Sequence, residues 1–161
     1  SLDLRVFANG ETATLTFARN TFEGGAGTDR LIFASSLDVP GVTVDLVNGA
    51  LRVGRSPANV LTGFEEFYGT GNADRFVDGA GDQYYNGNGG ADRYEFRRGH
   101  GNDTVVLGDG AVRLLGFGRT LDSFEDVLAR ATEVVGFNPG VLIATGAGSS
   151  IFLEAGDFLF R

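Results

Sequence analysis

Four aspartates, Asp29, Asp74, Asp92 and Asp103, each lie two residues before a large apolar residue and just after a run rich in glycine. Carboxylates beside flexible backbone are hard oxygen donors, and the cation that takes six to eight such oxygens in a loose shell is calcium. The spacing sharpens this. Laid out at nine residues, the chain reads GTGNADRFV at 69–77, DGAGDQYYN at 78–86 and GNGGADRYE at 87–95. After two extra residues comes RGHGNDTVV at 98–106, and an isolated copy, GGAGTDRLI, sits at 24–32. These match a nonapeptide pattern of glycines, an aspartate at position six and an apolar residue at position eight.

Each position of the repeat has a physical role. Glycines admit the left-handed backbone of a tight turn with inward carbonyls. The three residues around position eight suit a short strand with one side chain inside. Two repeats then make a coil of 18 residues, so residues 18 apart stack about 4.8 Å apart on neighbouring coils. Asp74 and Asp92 meet that spacing. A calcium ion midway between them would lie roughly 2.4 Å from each carboxylate, the usual Ca–O distance. Without a cation the stacked charges repel, so calcium is expected to be part of the fold.

Other chemistries find little footing. The single histidine, His100, falls in a turn where its carbonyl is the expected contributor, and zinc sites draw on several His or Cys ligands. There is no cysteine, hence no disulfide or thiolate chemistry, and no H-E-x-x-H, G-x-S-x-G or phosphate-cradling glycine loop. The many carboxylates serve cation binding better than a glycosidase pair, which needs a cleft and one raised pKa. With 13 arginines and no lysine against 21 acidic residues, the net charge of −8 disfavours nucleic acid. No apolar run nears the ~18 residues of a membrane span. Arg75 and Arg93, also 18 apart, are expected on the outer face beside Arg97 and Arg98, either as a ladder for an anionic polysaccharide or as an ordinary solvated face offsetting the acidic repeats. Tyr84, Tyr85 and Tyr94 read as core or edge residues, with sugar stacking as the other option.

Stepping outward from these turns, 161 residues with 26 glycines, 3 prolines and 18 aromatics make one ordered domain and neither a collagen nor a disordered chain. LDLRVF and TATLTF alternate around Asn9-Gly10, and GVTVDLVNGALRV repeats the device around Asn48-Gly49. One segment reads as helix: in TLDSFEDVLARATEVVG, Phe124, Val127, Leu128, Ala131, Val134 and Val135 fall on one face. Ser123 and Asp126 suggest a capping box, Gly136 a terminator, and the face a core-packing cap. VLIAT and SIFLE then read as two strands.

These repeats resemble the RTX, or hemolysin-type calcium-binding, family. The resemblance implies a mostly β fold: a parallel β-roll with N-terminal flanking strands and a C-terminal cap containing one α-helix. On this chain it divides the single domain 1–161 into flanking strands at 1–23, a roll at 24–117 with repeats at 24–32 and 69–106, and a cap with a secretion signal at 118–161. Asp157-Phe158-Leu159-Phe160 is similar to the tails of proteins exported by type I secretion, although Arg161 departs from that pattern. The family's ligand scheme implies one calcium site from Thr70, Asn72 and Asp74 with Gly87, Gly89 and Asp92. It implies a second from Gly25, Gly27 and Asp29 with Gly69, Gly71 and Asp74, if 33–68 is an excursion that returns to the stack. A weaker one would use Gly79, Gly81, His100 and Asp103, with Asp82 compensating for Gln83. The function implied is a non-catalytic, extracellular module, the C-terminal part of a larger secreted protein, folding on Ca2+ and engaging the type I secretion machinery. The alternative is a module resembling those of alginate epimerases, holding an anionic polysaccharide.

Overall fold

In the nine-residue segments one large apolar side chain recurs at position eight, and in each short strand that residue is buried before the chain turns away. The computed structural model describes residues 3–6, 20–33, 40–118, 121, 123–146 and 148–155. They form a mostly β fold of fifteen strands and one short helix. Eight strands make one sheet: β1 (Asp3–Val6), β3 (Arg30–Phe33), β7 (Glu66–Tyr68), β9 (Tyr84–Asn86), β11 (Asn102–Val106), β15 (Ser149–Glu154), β14 (Gly140–Gly146) and β13 (Ala131–Val134), in that spatial order. Seven make the other: β12 (Ala111–Leu115), β10 (Arg93–Arg97), β8 (Arg75–Val77), β4 (Val42–Asp45), β5 (Ala50–Val53), β6 (Asn59–Thr62) and β2 (Thr21–Glu23).

From β7 to β12 the chain alternates between the sheets, and same-sheet neighbours pair in parallel. The register is 18 residues for Glu66 on Tyr84, Arg75 on Arg93 and Arg93 on Ala111. It is 20 where Tyr84 meets Thr104, which absorbs the two extra residues of the sequence. Inside, position eight supplies a ladder. Phe67 stacks on Tyr85 with centroids 5.5 Å apart, Phe76 stacks on Tyr94 at 5.3 Å, and Phe76 meets Tyr85 across the sheets at 5.4 Å. Leu31, Val44, Leu51, Leu61, Phe96, Val105 and Ile151 complete this core, all buried. Tyr85 and Tyr94 are thus core residues, and Tyr84 lies half-buried on the outer side.

The hairpin around Asn48-Gly49 forms as expected, with Val42 on Val53 and Val44 on Leu51. So does the pair β14–β15. The Asn9-Gly10 turn and TATLTF lie outside the described residues, while β1 pairs in parallel with β3. The helix needs correction. It covers only Phe124–Leu128, capped by a reciprocal Ser123–Asp126 box, and buries none of its residues. The stretch expected to continue it, Ala131–Val134, is strand β13, antiparallel to β14. Thr132 and Val134 are β-branched and lose side-chain freedom in a helix, and the free edge of β14 offers a hydrogen-bonding partner instead. No helix among the described residues is long and apolar enough to cross a membrane.

Candidate metal centre

The turns lead into the two sheets from opposite edges. Turns 69–74 and 87–92 feed β8 and β10 of the seven-stranded sheet. Turns 24–29, 78–83 and 98–103 feed β3, β9 and β11 of the other.

On the first edge the expected stacking is present. Turn 87–92 lies so tightly on 69–74 that a Cβ on Gly90, where φ is +103°, would meet the Asn72 carbonyl carbon at 2.5 Å. Asp74 and Asp92 fold back over their own turns: a Cβ on Gly69 would lie 2.2 Å from Asp74 Oδ2, and one on Gly87 1.9 Å from Asp92 Oδ2. Glycine at position one is therefore the room that the position-six carboxylate occupies. Asp92 Oδ1 accepts the Asp74 backbone N–H at 2.9 Å. Asp74 accepts from Val42 N–H and Thr70 N–H, each at 2.6 Å, and from Thr70 Oγ1 at 3.0 Å. Both aspartates are buried, and among the described residues no arginine pairs with either. Burial lifts the Asp74 carboxyl above its ordinary range, against the hydrogen bonds from Val42 and Thr70. Burial, with a smaller push from the charge of Asp74, lifts Asp92 to about 6.

The pairing of Asp29 with Asp74 does not occur. Asp29 precedes β3 and stacks against Glu65, whose Oε2 accepts the Asp29 backbone N–H at 3.0 Å. Gly24 packs on Gly63, so turn 24–29, with Gly25 and Gly27, neighbours the chain at 63–65 and not Gly69 and Gly71. The excursion does return to the stack, but half a coil earlier than the expected site required. Glu65 was legible: it lies nine residues before Asp74 and fills the position-six place of one more repeat.

The second edge is built from departures from the pattern. Position six is Gln83 in turn 78–83, and position one is Asp78, so the carboxylate has changed places within the turn. Tyr85 Oη donates to Asp78 Oδ1 at 2.6 Å, and the Gln83 amide, turned to its satisfied orientation, donates to the same oxygen at 3.0 Å. Asp103 Oδ1 accepts the Gln83 backbone N–H at 2.9 Å, while its Oδ2 lies 2.5 Å from His100 Nδ1. Thr145 of β14 closes the far side, its Oγ1 2.7 Å from His100 Nε2. His100 therefore contributes its ring, contrary to the expectation that only its carbonyl matters; that carbonyl accepts the Gly81 N–H. Asp82 is exposed and accepts the Asn102 backbone N–H at 2.8 Å, away from this cluster. Asp78, His100 and Asp103 are all buried, and their ligand-type atoms lie within 4.8 Å of one another. Burial, followed by the nearby Asp103 charge, lifts Asp78 to about 8, and burial also raises Asp103 against the opposing bond from His100.

The outer arginines are in register, Arg75 beside Arg93. Arg75 is held by buried Glu95, NH2 to Oε2 at 2.6 Å, with Arg113 at 3.6 Å on the same carboxylate. Arg93 is exposed, and Arg98 donates to the Phe117 carbonyl at 2.9 Å. Asp157–Phe160 lie outside the described residues. No protein-family profile and no curated protein matches the chain.

Proposed function

We propose that the chain is a calcium-binding β module whose fold is completed by the cation, in an extracellular setting where calcium is abundant. One observation carries this reading: Asp74 and Asp92, 18 residues apart, occupy superposed turns of adjacent coils, buried and without a cationic partner among the described residues. Two buried carboxylates on stacked turns, without a cationic partner, favour either protonation or a bound cation. Thr70, Asn72, Gly87 and Gly89 offer backbone carbonyls in the same two turns, and oxygen donors alone select a hard ion. Bound calcium would supply the positive charge that the turns lack and couple ion binding to folding. The resemblance to RTX repeats extends the proposal to proteins handled by type I secretion.

Circular dichroism during a calcium titration, with magnesium as control, tests it. Calcium alone should drive β formation or raise the melting temperature, and Asp74→Asn with Asp92→Asn should remove most of that response. A chain equally folded and equally stable in chelator and in calcium would refute it. The polysaccharide alternative has weaker support, because the Arg75 fork is already engaged by Glu95.

A further inference from the structure

We infer that Asp78, His100 and Asp103 form a second metal site, for a divalent ion of the zinc class, chemically distinct from the calcium turns and independent of the calcium reading. Thr145 Oγ1 has one hydrogen, and it donates that hydrogen to the Ser149 carbonyl at 3.0 Å. Its contact with His100 Nε2 at 2.7 Å must then be an N–H donated by the ring. The tautomer is fixed from outside: Nε2 carries a proton, and Nδ1 turns its lone pair toward two carboxylates. This is the arrangement that holds a metal-binding histidine, with the remote nitrogen tied to a hydrogen-bond acceptor.

A lone pair 2.5 Å from a carboxylate oxygen is stable only with a positive centre between them, a proton or a metal ion. Asp78 argues for the metal. Its Oδ1 is held by Tyr85 and Gln83, whereas Oδ2 is buried and finds no hydrogen-bond partner among the described residues. A proton between His100 and Asp103, even with a second on Asp78, leaves that oxygen without a hydrogen-bond partner among the described residues. A divalent ion bound to Nδ1, Asp103 Oδ2 and Asp78 Oδ2 answers all three and neutralises both carboxylates. The imidazole nitrogen favours zinc and its neighbours over calcium or magnesium, which keep to oxygen. Entry of the ion would widen the Nδ1···Oδ2 contact to roughly 3.4 Å, the edge of a tetrahedral shell with bonds near 2.1 Å. The ring itself is positioned by edge contacts with Phe96 and Phe117, centroids 5.2 and 6.2 Å away.

Because His100 is the one histidine, each ring nitrogen gives a single NMR signal in a chain bearing no added histidines. Zn2+ titrated into the 15N-labelled protein, with calcium saturating, should shift Nδ1 to a metal-bound position at one equivalent and leave Nε2 protonated. Asp78→Asn should weaken zinc binding at least tenfold while the calcium response persists. Thr145→Val should weaken it about 10- to 100-fold by freeing the tautomer. Ring signals that ignore Zn2+ and respond to pH alone would overturn the proposal, leaving a proton-sharing pair only. Equal zinc affinity in wild type and Asp78→Asn would overturn it as well. A lost calcium response with the His100 signals still zinc-sensitive would strike the calcium proposal and leave this one standing.

Discussion

Asp78 and Asp92 are carboxyl groups whose ionisation works against the cation-free fold. Unfolded, both lose their protons near the ordinary 3.8; folded, burial holds those protons to about 8 and about 6 respectively. Between those limits the folded state binds more protons than the unfolded one, so its stability falls as pH rises. We therefore expect the melting temperature of chelator-treated protein to drop steadily from about pH 5 to about pH 8, and added calcium to make the part below about pH 6 shallower by fixing Asp92 ionised, while the slope from Asp78 remains. A chelator profile that rises with pH would contradict the assignment. At this scale the first edge was readable, because Asp74 and Asp92 obey the period. The second was not. Asp78, Gln83 and Arg98 each break the nine-residue pattern, His100 fills a place the pattern leaves open, and a period detects only what conforms to it. The functional signal was that the breaks compensate: a carboxylate lost at position six reappears at position one of the same turn.

Among the elements, the short strands and the hairpin around Asn48-Gly49 follow from alternation and turn chemistry, and the structure contains them, while the Asn9-Gly10 hairpin lies outside the described residues. Two element-level expectations missed for physical reasons. Apolar spacing from Phe124 to Val135 fits a helix face, yet Phe124, Leu128 and Val135 are 75%, 54% and 78% exposed, so no core rewards that helix beyond its first turns. Strand β13 wins because β14 presents an unpaired edge, which no local pattern reveals. Phe124→Ser should accordingly change stability by no more than about 0.5 kcal/mol, whereas Ile143→Ala, in the buried row of β14, should cost about 2–4 kcal/mol by denaturant unfolding. A large loss at Phe124 would mean that the helix does pack. The pairing of Asp29 with Asp74 failed on arithmetic alone: 45 residues is an odd number of nine-residue steps, and an odd number ends on the opposite edge.

For the molecule as a whole, the 18-residue register makes residues 66–115 nearly a one-dimensional crystal whose unit cell is two turns and two strands. A duplicate of residues 75–92 inserted after Asp92 should add one cell, lengthening the stack by about 4.8 Å while keeping the cooperative melt. A duplicate of 84–92 is half a cell and should abolish that melt, since every later strand would be delivered to the wrong sheet. Calorimetry separates the two, and equal tolerance of both insertions would deny the lattice. A perfect lattice can only copy its own site along its axis. The step of 20 between Tyr84 and Thr104 is a defect in it, and Asp78, His100 and Asp103 sit in the two turns that the defect joins. As in a mineral, the ordered cells would all take the same ion, and the dislocation is where a foreign one would lodge. Whatever chemistry distinguishes this chain from other stacks with the same cell is therefore to be sought at its irregular step.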